Sequence, residues 1–359
     1  VTWESARRVL AVRLDALGDV LMTTPAVRAL KAARPDRHIT LLTSEAGAAA
    51  GALVPEVDEV LVYDAPWMKA TRPRANSTPD LSMIERLRAG RYDAAAIFTV
   101  YSQSPLPAAL LCYLADVPRR LAHCHENPYQ LLTEWVPDPE PDTHIRHEVR
   151  RQLDLVATVG CVAPDERLSL RVTPAARQRV RGLLCARGLD RQPWVLFHPG
   201  ATAPSRRYPA TQFAEAARAL VHATGCAVVM SGKDDDPAVI ETLAALAGVE
   251  AYTLAGLPLG DFAALVEAAP VLVSNNSGPV HVAAAVGTAV VDLYALTNPQ
   301  HTPWAVPHRV LFHDVPCKYC YKSVCPQAHH DCLRRVPPAA VAEAALALLP
   351  RDWTGARAG

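Results

Sequence analysis

The sequence predicts an α/β protein built from two successive open, doubly wound parallel sheets. Apolar runs of strand length recur at residues 9–14, 38–43, 57–63 and 94–99, and again at 194–198, 227–231, 271–274 and 289–293. Such runs suit strands buried on both faces. Helical stretches separate them, among them residues 212–223 and 280–286, and strand-helix alternation of this kind implies parallel sheets. Pro164 and Pro174 punctuate the middle, which places a domain boundary at 165–175.

In the first half, the strand at 9–14 runs into a Gly18-Asp19 turn. Thr24 then reads as an N-cap and Pro25 as the first helical residue. Residues 64–79 mix Pro, Arg, Asn and Ser without periodicity and read as an exposed loop. Residues 137–141 break the chain again, and 147–159 have helical spacing. The second half repeats the pattern. The resulting division is 1–170 for a first Rossmann-like domain, 171–338 for a second, and 339–359 for a last helix and tail.

Composition narrows the function. The chain has 359 residues, half of them apolar, with 36 basic residues against 36 acidic ones. Zero net charge supplies no field for nucleic acid or an anionic membrane. Arg13 and Asp15 interrupt the first apolar run, so it reads as neither signal peptide nor span, and no stretch reaches the ~18 uncharged apolar residues of a membrane helix. Nine cysteines, an odd number, five of them scattered, imply a reducing compartment. The expectation is a cytoplasmic protein, peripheral to the inner face of the membrane at most, without nucleic-acid partners.

In open parallel sheets, ligands bind beyond the carboxyl ends of the strands, and five polar stations fall at such places. Gly18-Asp19 sets a carboxylate at a strand-to-helix junction. Asp19 reads either as a general base for a hydroxyl or as a helix-start charge opposing the dipole, with Asp15 as its rival. The segment His198-Pro-Gly200-Ala-Thr202, followed by Ser205, Arg206 and Arg207, reads as an anion site or a solvated basic loop. Asn275-Asn276-Ser277-Gly278 opens a helix with free N–H groups that suit a phosphate, or is a plain cap; His281 lies in that helix's first turn. Asp234, after Ser231-Gly232-Lys233, suits a ribose diol, or belongs to an acidic helix start at Pro237. Cys317, Cys320, Cys325 and Cys332, with His329 and His330 among them, suit a structural zinc or a loop-packing thiol cluster.

Taken in order, these stations resemble glycosyltransferase family 9, the heptosyltransferases. The residues that carry the resemblance are Arg13-Leu-Asp-Ala-Leu-Gly-Asp-Val-Leu-Met-Thr-Thr-Pro-Ala-Val-Arg-Ala-Leu-Lys31, Phe197-His-Pro-Gly-Ala201, Arg206-Arg-Tyr-Pro209 and Ser274-Asn-Asn-Ser-Gly-Pro-Val-His-Val-Ala-Ala-Ala285. The resemblance implies a GT-B fold, two Rossmann-like domains facing a cleft, with the acceptor on the first, the nucleotide sugar on the second, and a last helix crossing back. It implies Asp19 as catalytic base and Arg206 on the leaving diphosphate. His198, Gly200, Thr202, Ser205, Asp234, Asn276, Ser277, Gly278 and His281 would bind the donor, and Gly18 and Thr23 the acceptor. The implied reaction is inverting transfer of heptose or a related sugar from an ADP-sugar or other nucleotide sugar to a glycan or small-molecule hydroxyl, without a cofactor. Two positions depart from the family pattern: Asn276 stands where an aspartate is common, and Arg206 where a lysine is. The alternatives are a nucleotide-sugar epimerase of the same fold, a non-catalytic nucleotide-sugar-binding protein, and a metal or redox module centred on the cysteines.

Overall fold

The computed structural model describes residues 2–69, 71–350 and 353. The chain forms two compact units, Val1–Ser169 and Leu170–Gly359. In the first unit the strands are β1 (Arg8–Arg13), β2 (His38–Thr43), β3 (Glu59–Val62), β4 (Ala94–Ile97), β5 (Arg120–Cys124) and β6 (Glu134–Pro137). Its helices are α1 (Leu17–Ala33), α2 (Glu45–Gly51), α3 (Thr78–Gly90), α4 (Leu106–Leu114) and α5 (Glu148–Ala157). All neighbours pair in parallel, in the order β3-β2-β1-β4-β5-β6. Leu10, Val12, Ala95 and Ile97 are buried in the core below α3 and α4.

The second unit repeats the design with β7 (Trp194–His198), β8 (Ala227–Met230), β9 (Ala251–Thr253), β10 (Val271–Asn275), β11 (Ala289–Leu293) and β12 (His308–Leu311). Its helices are α6 (Pro174–Cys185), α7 (Ala210–Thr224), α8 (Pro237–Ala245), α9 (Leu259–Ala268), α10 (Gly278–Val286), α11 (Asp331–Arg334) and α12 (Pro338–Leu348). The order β12-β11-β10-β7-β8-β9 is the same winding. In each sheet the chain reverses direction of travel beside its first strand, at β1/β4 and at β7/β10. Such switch points are where doubly wound sheets open a crevice. The last helix, α12, packs on α7 and on β10 and β11 of the second unit. Of the tail expected after it, residues 351–352 and 354–359 lie outside the described residues.

The start of α1 corrects the sequence reading. The helix begins at Leu17, so Gly18 and Asp19 lie in its first turn, and Thr24 and Pro25 are internal. A proline inside a helix leaves the carbonyl four residues earlier without its donor. Here that carbonyl is Leu21 O, and the Thr24 hydroxyl donates to it at 2.7 Å. The same hydroxyl accepts from the Ser169 N–H at 2.9 Å. The Thr-Pro pair therefore continues a buried helix rather than starting one.

Candidate active site

The mouth of the first sheet is organised around Arg13, the last residue of β1, whose side chain is fully buried. Its guanidinium meets three carboxylates: Glu148 Oε1 at 2.7 Å, Asp15 Oδ2 at 3.0 Å and Asp19 Oδ1 at 3.3 Å. Burial works against the charge, but Asp15, Glu148 and Asp19 outweigh it and raise the Arg13 pKa. Asp19 is the third residue of α1, and its Oδ2 also accepts the Ala16 N–H at 3.2 Å, which caps the helix. The catalytic and helix-start readings are thus compatible on one side chain.

Asp15 and Asp19 differ in how they are held. Asp15 accepts Gln103 Nε2 at 2.7 Å and forms an ion pair with Arg13 at 3.0 Å, and its side chain is 14% exposed. Asp19 is held by longer bonds and is 21% exposed, so it is the more open of the two to solvent. Beside them lies a cavity of about 440 Å³ at the ends of β1 and β4, lined by Asp15, Trp67, Phe98, Thr99, Ser102 and Gln103 among others. Gly18 is half-buried on α1. Thr23 is buried and its hydroxyl donates to Asp19 O at 2.8 Å; it supports the helix from inside instead of facing a ligand.

The mouth of the second sheet is stitched by Asn275. Its Nδ2 donates to Pro199 O at 2.6 Å and its Oδ1 accepts the Tyr208 N–H at 2.9 Å. One side chain thereby fixes the loops after β7 on both sides of Arg206. In the sequence Asn275 stood within the helix-opening station without a role of its own, because an asparagine before a helix reads as a cap. Arg206 is half-buried in a short 3-10 turn (Pro204–Arg206). Its guanidinium donates no hydrogen bond among the described residues, which leaves its fork available to an anion.

Other expected donor residues divide into facing and supporting groups. Thr202 is exposed. Gly200 is buried against the Asp236 carboxylate, and a Cβ there would collide with it. Asp236 is the N-cap of α8, accepting the Ala238 N–H at 3.0 Å, while Asp234 stays exposed with its carboxylate over Gly256. His198 Nδ1 lies 3.1 Å from Ser231 Oγ, and its ring packs against Phe262. Burial lowers its pKa to about 4, opposed by Asp236, so it is a neutral imidazole near pH 7.

Four of the expected donor residues are engaged or buried within the fold. Ser277 occupies the N-cap of α10, but its hydroxyl donates to Asn275 O at 3.2 Å and does not cap. Ser205 is buried and its Oγ donates to Lys322 O at 2.8 Å, anchoring the cysteine loop. Asn276 is buried, with Nδ2 donating to Asp292 Oδ2 at 3.1 Å and His301 O at 3.0 Å; it braces the loop from behind. His281 is likewise buried in the first turn of α10.

The cysteines do come together. Cys317, Cys320, Cys325 and Cys332 line one small cavity with His329 and His330, and Cys317 Sγ lies 3.5 Å from His329 Nε2. Among the described residues, however, no group of three or more His, Cys, Asp or Glu side chains is arranged to hold a metal ion. The zinc expected from the spacing is therefore not supported. Cys317 and Cys332 pack instead on Tyr294, Leu296 and Val315, and burial raises the Cys332 pKa.

Residues 81–330 match the sequence model of Glycosyltransferase family 9 (heptosyltransferase). The chain belongs to glycosyltransferase family 9. This glycosyltransferase is 27% identical over 313 residues to lipopolysaccharide heptosyltransferase 2 of Salmonella typhimurium, spanning 82% of the chain and 85% of the relative. Among solved structures it resembles a family 9 glycosyl transferase from Veillonella parvula, with a TM-score of 0.78 at 22% identity, covering 97% of this chain and 98% of that one. It also resembles the E. coli ADP-heptose lipopolysaccharide heptosyltransferase II, with a TM-score of 0.72 at 25% identity, covering 95% and 98%. The two wound sheets are thus a GT-B fold, and the protein is an enzyme of glycosyl transfer, in preference to an epimerase or a non-catalytic binding protein. No helix of the described residues is long and apolar enough to cross a membrane.

The sequence missed the residues that hold the site residues. Arg13 was noticed as a break in an apolar run and as the start of a family-like segment, without a role of its own, and Glu148 and Asp292 were not noticed at all. A fully buried arginine at a strand end is a signal in principle, since an arginine is almost never buried unpaired.

Proposed function

We propose that this glycosyltransferase moves heptose, or a closely related sugar, from an ADP-sugar to a hydroxyl of a lipopolysaccharide-core-like glycan, with inversion, in the cytoplasm at the inner face of the membrane. The observation that carries the reading is the Asp19 carboxylate, fixed by Arg13 and the Ala16 N–H yet one-fifth exposed at the end of β1. The relatives' names, lipopolysaccharide heptosyltransferase and ADP-heptose heptosyltransferase, support the donor and the acceptor class.

In this scheme the acceptor oxygen attacks the anomeric carbon from the face opposite the nucleotide, and Asp19 takes its proton. The bond from the anomeric carbon to the diphosphate oxygen breaks, and negative charge develops on the leaving group. Arg206 and the N–H groups of Ser277 and Gly278 at the start of α10 receive that charge; fixed donors of this kind act most strongly where charge appears in the transition state. The scheme calls on no cofactor. Asn276 lies behind the phosphate loop, so sugar selection falls to other residues, and a donor related to heptose fits the scheme as well as heptose itself.

The test is mass-spectrometric detection of sugar transfer from ADP-heptose to lipopolysaccharide truncated before its heptoses. Asp19→Asn is expected to lower turnover by about 10²–10⁴-fold, the usual contribution of a general base, while ADP binding stays at the wild-type level. Near-normal turnover in Asp19→Asn would remove the base assignment.

A further inference from the structure

We propose that Glu148, acting through Arg13, is a positioning residue for the Asp19 carboxylate; the inference rests on the reading of Asp19 as the base. Glu148 is the first residue of α5, in a helix distant in sequence from β1, and it is fully buried. Its Oε1 accepts Arg13 Nη1 at 2.7 Å and Gln152 Nε2 at 2.7 Å. Gln152 also donates to Thr99 O at 3.0 Å, and Arg151 Nε to the same oxygen at 2.9 Å. α5 is thereby tied to the end of β4, and the position of Glu148 is set by the sheet.

Stability does not account for this arrangement. One buried guanidinium is balanced by one carboxylate, and Arg13 already has Asp15 and Asp19. A third carboxylate, the fully buried Glu148, leaves the hub with more negative than positive charge. Moreover, Glu148 Oε2 has no hydrogen-bond partner among the described residues. A buried carboxylate oxygen left unsatisfied is costly, and local costs of this kind collect where function needs geometry.

The geometry shows what the third carboxylate does. A guanidinium is a planar fork, and its orientation is defined when more than one edge is held. Glu148 holds Nη1 and Asp15 faces Nε, so Nη2 is left pointing at Asp19. Without Glu148 the fork is free to turn, and the 3.3 Å contact that locates Asp19 Oδ1 is lost. The charged groups that surround Asp19 through this hub are Arg13 from β1, Asp15 from the connecting loop and Glu148 from α5.

Two variants and two readouts test the proposal in the full chain. Glu148→Ala removes both charge and acceptor; Glu148→Gln keeps an acceptor oxygen. With ADP-heptose and heptose-deficient lipopolysaccharide, Glu148→Ala is expected to lower kcat by about 100-fold, the scale of a small misplacement of a catalytic group, with KM for ADP-heptose unchanged. Glu148→Gln is expected to fall in between. In nitrogen-15 NMR spectra, the Arg13 Nη signals are expected to be separate and slowly exchanging in the wild type and to merge in Glu148→Ala. The NMR readout needs no substrate, and Glu148→Gln carries both readouts should Glu148→Ala not fold. Wild-type kcat or unaltered Arg13 signals in the folded variants would overturn the proposal. Inactive Asp19→Asn beside fully active Glu148 variants would remove this inference alone, whereas active Asp19→Asn would remove the base reading beneath it.

Discussion

Asn276 Nδ2 donates to Asp292 Oδ2 across 3.1 Å at the carboxyl ends of β10 and β11. Both side chains are buried, and Asp292 Oδ1 has no hydrogen-bond partner among the described residues. An amide facing a carboxyl is a donor–acceptor pairing, whereas an aspartate at position 276 would bury a second carboxyl group beside the first. The asparagine at position 276 therefore supplies a donor to an acidic residue one strand away.

Burial raises the Asp292 pKa to about 8, with the Asn276 bond and the Arg206 charge working against it. Below about pH 4 the residue is protonated whether folded or unfolded, and its contribution to stability is fully present. Between about 4 and 8 the unfolded chain sheds a proton that the folded chain keeps, so stability falls as pH rises. Asp292→Asn is expected to flatten this loss, whose slope is at most about 1.4 kcal/mol per pH unit. Thermal melts of both proteins from pH 4 to 8 check it, and parallel curves would refute it.

His198 behaves in the opposite sense. Burial lowers its pKa to about 4 from the usual 6.5. Above pH 6.5 it is neutral in both states; as pH falls from 6.5 towards 4 the unfolded chain gains a proton that the folded chain refuses, and stability is lost. The His198 ring signals in proton NMR are expected to stay constant from pH 5.5 to 8. A midpoint near 6.5 would show the ring to be solvated and charged.

Thr24 serves two backbone groups at once, the Leu21 carbonyl stranded by Pro25 and the Ser169 N–H. Thr24→Val keeps the shape and leaves both unsatisfied in the interior, at a cost of about 1–3 kcal/mol. Thr24→Ser retains the hydroxyl and is expected to stay within about 1 kcal/mol of wild type. Chemical denaturation of the two variants separates hydroxyl from methyl.

Strand-helix alternation made both wound sheets legible, because a parallel strand buried on both faces has to be a continuous apolar run. Asp19, Arg206 and the Ser277-Gly278 loop were legible for a related reason. Their order along the chain, each just beyond an apolar run, carried a family likeness. The start of α1 was not legible, since Thr-Pro is a strong local start signal and only packing shows a hydroxyl replacing the missing N–H. Zinc and a loop-packing cluster could not be told apart in the cysteines: spacing brings four thiols near one another, but ligand geometry is a property of the folded loop.

The sequence by itself determined the wound α/β class and the family, since these follow from periodicity and from motifs local to single turns. Tertiary structure decided which polar residues face outward and which stand behind. Arg13 with Glu148, Asn275 with Pro199, and Asn276 with Asp292 each join segments far apart in the chain. A buried charge or amide is tolerable only with a partner, and no local pattern along the chain says who that partner is. Asp19 was visible from its neighbours in sequence; the Arg13–Glu148 pair beside it became visible only when α5 packed on α1.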